Sequence, residues 1–264
     1  MDVLAASTGK AVREAGKLFL DNIDESMIIQ KGAKNFVTQI DFRVQDFLIC
    51  ELDRIIPGAN IITEESNHNR FDLEKPTWIL DPVDGTTNLM HDFRHSAVSL
   101  ALFIDKNPVL AYVYNPYAEE MFYGEAGNGA FLNGKRMRAS STAILEESLI
   151  GFGTAPYDRS KAGKTFSIVE KIFLKCQEIR RSGSAALDLA YVACGRMDGF
   201  FEMTLQPWDY AAGMLILQEA GGRITNWDGN CPALLKSDSI AASNSLVHDA
   251  LLEVISEVNN LQAI

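Results

Sequence analysis

The chain has no excess of basic residues. Its 24 Lys and Arg are outnumbered by 35 Asp and Glu, a formal net charge of −11 over 264 residues. A sequence-independent grip on a nucleic-acid backbone needs a basic face, and anionic membranes repel an acidic chain for the same Coulombic reason, so neither partner is expected. Cysteine is scarce and scattered. Cys50, Cys176, Cys194 and Cys231 form no CxxC pair, which argues against a structural zinc site or a redox motif and suits a reducing cytoplasm. Long apolar runs are missing too: no stretch approaches the roughly 18 residues of a membrane span. Near the N-terminus, Asp2, Lys10, Arg13, Glu14 and Lys17 recur too often for a signal h-region, so a cytoplasmic protein is expected. His68, His91, His95 and His248 make no HExxH, and no GxSxG marks a hydrolase nucleophile.

What is present is ordinary globular material: 47% hydrophobic and 22% charged residues favour a packed core over disorder. With no repeat or linker, one compact unit over 1–264 is expected, with approximate halves 1–145 and 146–264 and the active site between them. The apolar spacing predicts helices over 2–22 and 41–55, the second stopped by Pro57-Gly58. Short apolar runs at Asn60–Thr63 and Thr77–Leu80 predict buried strands. Ser96–Ile104, Val109–Asn115 and Glu120–Gly124 predict antiparallel strands joined by turns. The second half alternates: helix over Lys161–Lys175, helix over Ser184–Cys194, strand over Gly199–Met203, helix over Trp208–Ala220, strand over Ser239–Ala242, and a last helix capped by Ser245 and running to Val258. Mixed elements throughout point to an α/β or α+β layered sandwich. Gly129–Arg136 comes close to a phosphate-binding loop, but Arg136 stands where a hydroxyl should be, and Asn133-Gly134 reads better as a hairpin turn.

Carboxylates gather at strand and helix edges in three places. Thr63-Glu64-Glu65-Ser66 follows a strand, Asp81-Pro82-Val83-Asp84-Gly85-Thr86-Thr87-Asn88 follows the buried Trp78-Ile79-Leu80 run, and Pro207-Trp208-Asp209 opens a helix. In the second, Pro82 lacks an N–H and is expected to end the strand, leaving Asp84 in a turn. Gly85 lets the backbone approach a ligand, and a short helix starting at Thr86 would offer N–H groups to an anion. A lone DxxDG is more often an Asx turn beside a hairpin; the full run through Asn88 makes that reading insufficient. Hard cations take carboxylate oxygens together with water and substrate phosphate, so this set suits Mg²⁺.

Thr63–Ser66, Trp78–Asn88 and Trp208–Gly213, in this order and at these separations, resemble the three signature regions of the inositol monophosphatase family. The resemblance implies an inositol monophosphatase/fructose-1,6-bisphosphatase-like fold, with alternating helix and sheet layers. It also implies a residue-by-residue site. Glu64, Asp81 and the carbonyl of Val83 match the ligands of one magnesium, and Asp81, Asp84 and Asp209 those of a second, with Glu64 shared by a weaker third. Thr86 matches the threonine that helps deprotonate the attacking water, with Asp41 as its partner and Glu64 as an alternative base. Asp84, Gly85, Thr86, Gly183, Ser184, Ala185, Glu202 and Asp209 match substrate contacts, with Glu202 meeting the hydroxyls. The family's loop lysine corresponds to Lys31 rather than Lys34, and Gly151–Ser160 has no usable match.

The function implied is Mg²⁺-dependent hydrolysis of a small phosphorylated polyol or sugar, with inositol 1-phosphate as the leading substrate and a homodimeric assembly. Fructose-1,6-bisphosphatase or mixed sugar-phosphatase activity is the alternative within the same chemistry. A 3′-phosphonucleotide phosphatase fits less well, because Thr87-Asn88 stands where those relatives carry Lys-Glu. A regulatory interaction protein retaining the fold is the alternative of another class.

Overall fold

The computed structural model describes residues 3–20, 28–32, 35–64, 74–234 and 236–261. In chain order, α1 (Val3–Gly16) continues as a 3₁₀ turn over Lys17–Leu20. An antiparallel pair, β1 (Ile28–Gly32) and β2 (Asn35–Thr38), precedes α2 (Gln39–Ile55). Then come β3 (Asn60–Thr63), β4 (Thr77–Asp84), the short α3 (Thr86–Met90), β5 (Ala97–Ile104), β6 (Asn107–Asn115), β7 (Glu120–Glu125), β8 (Gly129–Leu132) and β9 (Lys135–Met137). The second half runs β10 (Leu149–Phe152), α4 (Ala162–Phe173), β11 (Glu178–Arg180), α5 (Ala185–Ala193), β12 (Gly199–Leu205), α6 (Pro207–Glu219), β13 (Arg223–Thr225), β14 (Asp238–Ser243) and α7 (His248–Leu261). Among the described residues no helix is long and apolar enough to cross a membrane.

Two main sheets result. The larger has the order β3-β4-β5-β6-β7-β8-β9 and is antiparallel except at β3–β4. The smaller has the order β11-β10-β12-β14-β13, with β10 parallel to both its neighbours and the remaining pairs antiparallel. Period-two alternation assigns the faces. Trp78 and Leu80 pack with Val12, Val44 and Leu48 of α1 and α2, while Ile79 and Phe122 pack with Leu187, Leu189 and Ile216 of α5 and α6. Phe200 and Ala242 of the smaller sheet join that same central layer, while Phe201 and Ala241 face α4 and α7. The molecule is therefore an α/β layered sandwich of five layers: helices, sheet, helices, sheet, helices.

The middle helices are buried from both sides, which explains their composition. Along α6 every residue from Tyr210 to Leu217 is buried; a helix squeezed between two sheets has no polar face to keep. Gly213 lets α5 approach α6, because a Cβ there would lie 2.5 Å from the Leu189 Cβ.

The structure corrects several expectations. Pro82 does not end its strand: β4 runs on to Asp84, which pairs with Ala97 after an irregularity between Asp81 and Asp84. A strand that loses register tolerates the missing proline donor. The first helix changes to 3₁₀ at Lys17. The last begins at His248, not after a Ser245 cap. Asn244 Oδ1 accepts the N–H groups of Leu246 (3.0 Å) and Val247 (3.2 Å), while Ser245 donates to the Gly221 carbonyl. Strands β1, β2, β10, β11 and β13 were not anticipated, being too short for a period to show. Asn133 and Gly134, both at positive φ, do form the β8–β9 hairpin turn.

Candidate active site

Each half of the chain brings acids to one cavity. β4 is buried over its whole length and delivers Asp81 and Asp84 from its C-terminal end. Asp209 enters on the first turn of α6, where its carboxylate accepts the Gln206 N–H at 2.7 Å. Carboxylate oxygens of Asp81, Asp84 and Asp209 all lie within 4.8 Å of one another. They line a cavity of about 950 Å³, together with Glu64 at the end of β3 and Val83.

Electrostatics shows how costly this grouping is for a bare protein. Burial, then Glu64, Asp84, Asp209 and Asp41, hold the Asp81 carboxyl well above the usual carboxylate range. Asp209 is raised likewise, first by burial and then by Asp84. Burial lifts Asp84 to about 6, against the pull of Ser184 and the backbone N–H groups of Ala186 and Ala185. Such a set favours either protons or a cation. Hard oxygen donors crowded from three points fit a hard divalent ion, so Asp81, Asp84 and Asp209 with Glu64 beside them are the residues that would hold one.

Gly85 follows in the left-handed conformation (φ +90°), and its missing Cβ leaves room for the carbonyls of His95 and Gly183, 3.1 and 3.2 Å from where it would stand. The chain then turns into α3. Thr86 Oγ1 lies 3.1 Å from both Asp41 Oδ1 and the Val83 carbonyl, with one proton to give to either. Asp41 itself belongs to α2. Its Oδ2 accepts the backbone N–H (2.8 Å) and hydroxyl (2.5 Å) of Thr38, closing the capping box at the helix N-terminus. One oxygen fixes the helix while the other reaches Thr86, 45 residues away.

The matched substrate residues surround the same cavity with one difference in what they do. Gly183, Ser184 and Ala185 line it, yet the start of α5 is partly taken up by Asp84. The Ser184 hydroxyl and the Ala186 N–H (2.8 Å) both donate to Asp84 Oδ2. Glu202 is buried, 6% exposed, and its Oε1 accepts the Ala155 N–H at 2.8 Å. Burial lifts its carboxyl to about 7. The side chain of Lys31, together with Lys34, Glu65, Ser66 and His68, lies outside the described residues.

Sequence reasoning missed one wall of the cavity. Phe152 to Arg159, from the segment without a usable match, lines it together with Lys161, Arg181 and Asp188. The segment is pinned: Gly153 N–H donates to the Phe201 carbonyl (2.9 Å), and a Cβ on Gly153 would fall 1.8 Å from Glu202 Oε2. Arg181 donates to Thr154 Oγ1 at 3.2 Å. Tyr157 stands at the mouth, 63% exposed. The available signal was positional, a Gly- and Pro-bearing loop directly after a strand, where α/β sheets place their ligands.

Comparison with known proteins follows the geometry. The model of the inositol monophosphatase family matches residues 2–260. The chain is 38% identical over 255 residues to the Escherichia coli protein named Nus factor SuhB, covering 95% of both. It is 39% identical over 249 residues to an inositol-1-monophosphatase of Rhizobium meliloti, covering 93% of both. A crystal structure of the extragenic suppressor protein SuhB from Bartonella henselae superposes with a TM-score of 0.89 at 33% identity, over 96% of this chain and 98% of that one.

Proposed function

The chain belongs to the inositol monophosphatase family, and on that premise we propose that it is a Mg²⁺-dependent phosphatase of a phosphorylated polyol, inositol 1-phosphate first. Family membership supports phosphatase activity as such; the substrate and the metal are our reading. The observation that carries it is the convergence of Asp81, Asp84 and Asp209 beside the Thr86–Asp41 hydrogen bond in one cavity.

When bound, magnesium supplies the positive charge that offsets the phosphate and makes a nearby water acidic enough to attack. The chain's own residues do the rest. Asp81, Asp84, Asp209 and Glu64, with the Val83 carbonyl, would hold the cations. Thr86 Oγ1 hands its proton to Asp41 Oδ1 as it takes one from the water, with Glu64 as the alternative base. The hydroxide so formed attacks phosphorus in line as the bond from phosphorus to the polyol oxygen breaks, and the polyol leaves with a proton taken from solvent, with no covalent intermediate on the protein. Glu202 and the Gly183–Ala185 turn orient the polyol.

Two further readings have an observation behind them. Arg159, Lys161 and Arg181 line the same cavity and could take a second phosphate, which favours a bisphosphate or mixed sugar-phosphate substrate. The relatives named Nus factor SuhB raise an interaction role that keeps the fold. Phosphate release from inositol 1-phosphate, fructose 1,6-bisphosphate and a 3′-phosphonucleotide, with and without Mg²⁺, separates them. Fastest release from the first supports the leading reading, and fastest release from another keeps the chemistry but changes the substrate. No release from any overturns the phosphatase reading in favour of the interaction role. Pull-down with Asp84→Asn then tests that role independently of turnover.

A further inference from the structure

Asp188 sits in the first turn of α5, within the run Ala185-Ala186-Leu187-Asp188-Leu189-Ala190, in which every residue is buried. Its own side chain is 2% exposed and forms part of the cavity wall with Ser184, Arg181 and Glu202. The Ser182 hydroxyl donates to the Ser184 carbonyl at 3.4 Å, and Asp188 Oδ1 has no hydrogen-bond partner. A buried polar atom without a partner bears a desolvation cost with nothing in return. Here two further acids, Asp84 and Glu202, add repulsion, which Ser182 and the Arg181 guanidinium oppose. Leucine of similar size would pack this position between the sheets without either cost. Groups that cost stability at a ligand cavity are where function is expected to reside.

We propose that Asp188 is a specificity-determining residue of the cavity, its Oδ1 accepting a hydrogen bond from a hydroxyl of the substrate's polyol. The inference rests on the phosphatase reading above and names a recognition residue beyond those the family match supplied. Oδ1 itself is closed to solvent where it stands, so the carboxyl must turn about its terminal side-chain torsion, a broad and soft rotation, for a hydroxyl in the cavity to meet it. Glu202 already gives Oε1 to the Ala155 N–H, so Asp188 supplies a second acceptor from a different element. Two acceptors with the Arg181 donor near them recognise adjacent hydroxyls, and they offer nothing to a leaving group without hydroxyls.

The test compares wild type, Asp188→Leu and Asp188→Asn on inositol 1-phosphate and on phenyl phosphate, with calorimetric binding of free inositol and the thermal midpoint as readouts independent of turnover. In Asp188→Leu, KM for inositol 1-phosphate and Kd for inositol rise about tenfold or more, the loss of roughly one good hydrogen bond. Its kcat and its phenyl phosphate kinetics stay near wild type, and its thermal midpoint is unchanged or higher. Asp188→Asn keeps an acceptor at Oδ1 and keeps wild-type recognition. Equal losses on both esters, no loss on either, or a lowered midpoint in Asp188→Leu would overturn the proposal by making the residue structural or idle. If wild type hydrolyses neither ester, the phosphatase reading fails by itself. Inositol binding that wild type shows and Asp188→Leu loses would then still support Asp188, and its absence in wild type would overturn both.

Discussion

The two halves of the molecule serve one cavity by different means. The first half contributes Asp81, Asp84, Thr86 and Asp41 from strand ends and helix starts that are locked by backbone: β4 is buried throughout, and Asp41 is tied into the cap of α2. The second half contributes one acid of the cluster, Asp209, and otherwise a wall of Gly153, Tyr157, Arg181, Asp188 and Glu202. Rigid carboxylates at fixed spacing suit chemistry common to many phosphate esters. A wall of mixed donors, acceptors and one exposed aromatic suits choice among them. On the function proposed, the difference predicts that metal and proton handling on the one side and substrate choice on the other are separable by mutation.

The largest effect tests the first half. Asp84→Asn removes a charge from the acid cluster and turnover falls below detection, while circular dichroism and the thermal midpoint show a folded protein; wild-type turnover in this variant would break the comparison. Thr86→Ala follows, lowering kcat on the order of 10²- to 10⁴-fold on every ester tested, since a proton-handling group serves all substrates alike. Gly153→Ala tests the second half. Its Cβ would fall 1.8 Å from Glu202 Oε2, so Glu202 must move. KM for inositol 1-phosphate is expected to rise while phenyl phosphate kinetics hold, and an equal loss on both would mean that the wall also serves the chemistry.

Acidity sharpens the comparison further. Asp84 and Glu202 carry pKa values raised to about 6 and about 7. Groups raised in the fold stabilise it fully below their unfolded pKa values and lose that contribution as pH rises through the folded ones. Protein in EDTA is therefore expected to lose thermal stability between pH 4 and about 7. Added Mg²⁺ restores it most at the upper end, because cation binding releases the protons. A midpoint flat with pH in EDTA would contradict the electrostatic account. The smallest effect is that of Thr38→Ala, which breaks the cap that holds Asp41 and costs about 1 kcal/mol in denaturant unfolding, with a modest drop in kcat.

Much of the first half was legible in the sequence because its signal is local. Trp78–Asn88 places strand, carboxylates, glycine and hydroxyl in one run, whereas the Thr38–Asp41 cap went unread because the apolar period marks α2 only from residue 41. Helix and strand positions were legible where a period had room to repeat, as in α2, or where proline, glycine and turn residues punctuate an apolar run, as in β5 and α6. Most of the second half's wall was not legible: Glu202 was named through the family resemblance alone, and the residues around it meet only after folding. Ala155 and Glu202 lie 47 residues apart and join through a backbone N–H. Asp188 hides in an apolar helical run, and Ser184 and Ala186, 100 and 102 positions from Asp84, hold its carboxylate. Asp84 was expected in a turn because a proline commonly ends a strand, and the slip in register that lets β4 continue leaves no mark in composition.

The most direct test of the central claim is phosphate release from inositol 1-phosphate by wild type and Asp84→Asn, each with Mg²⁺ and with EDTA. The account predicts release by wild type with Mg²⁺ alone. Release that is indifferent to the metal, release by Asp84→Asn at the wild-type rate, or no release under any of the four conditions would contradict it.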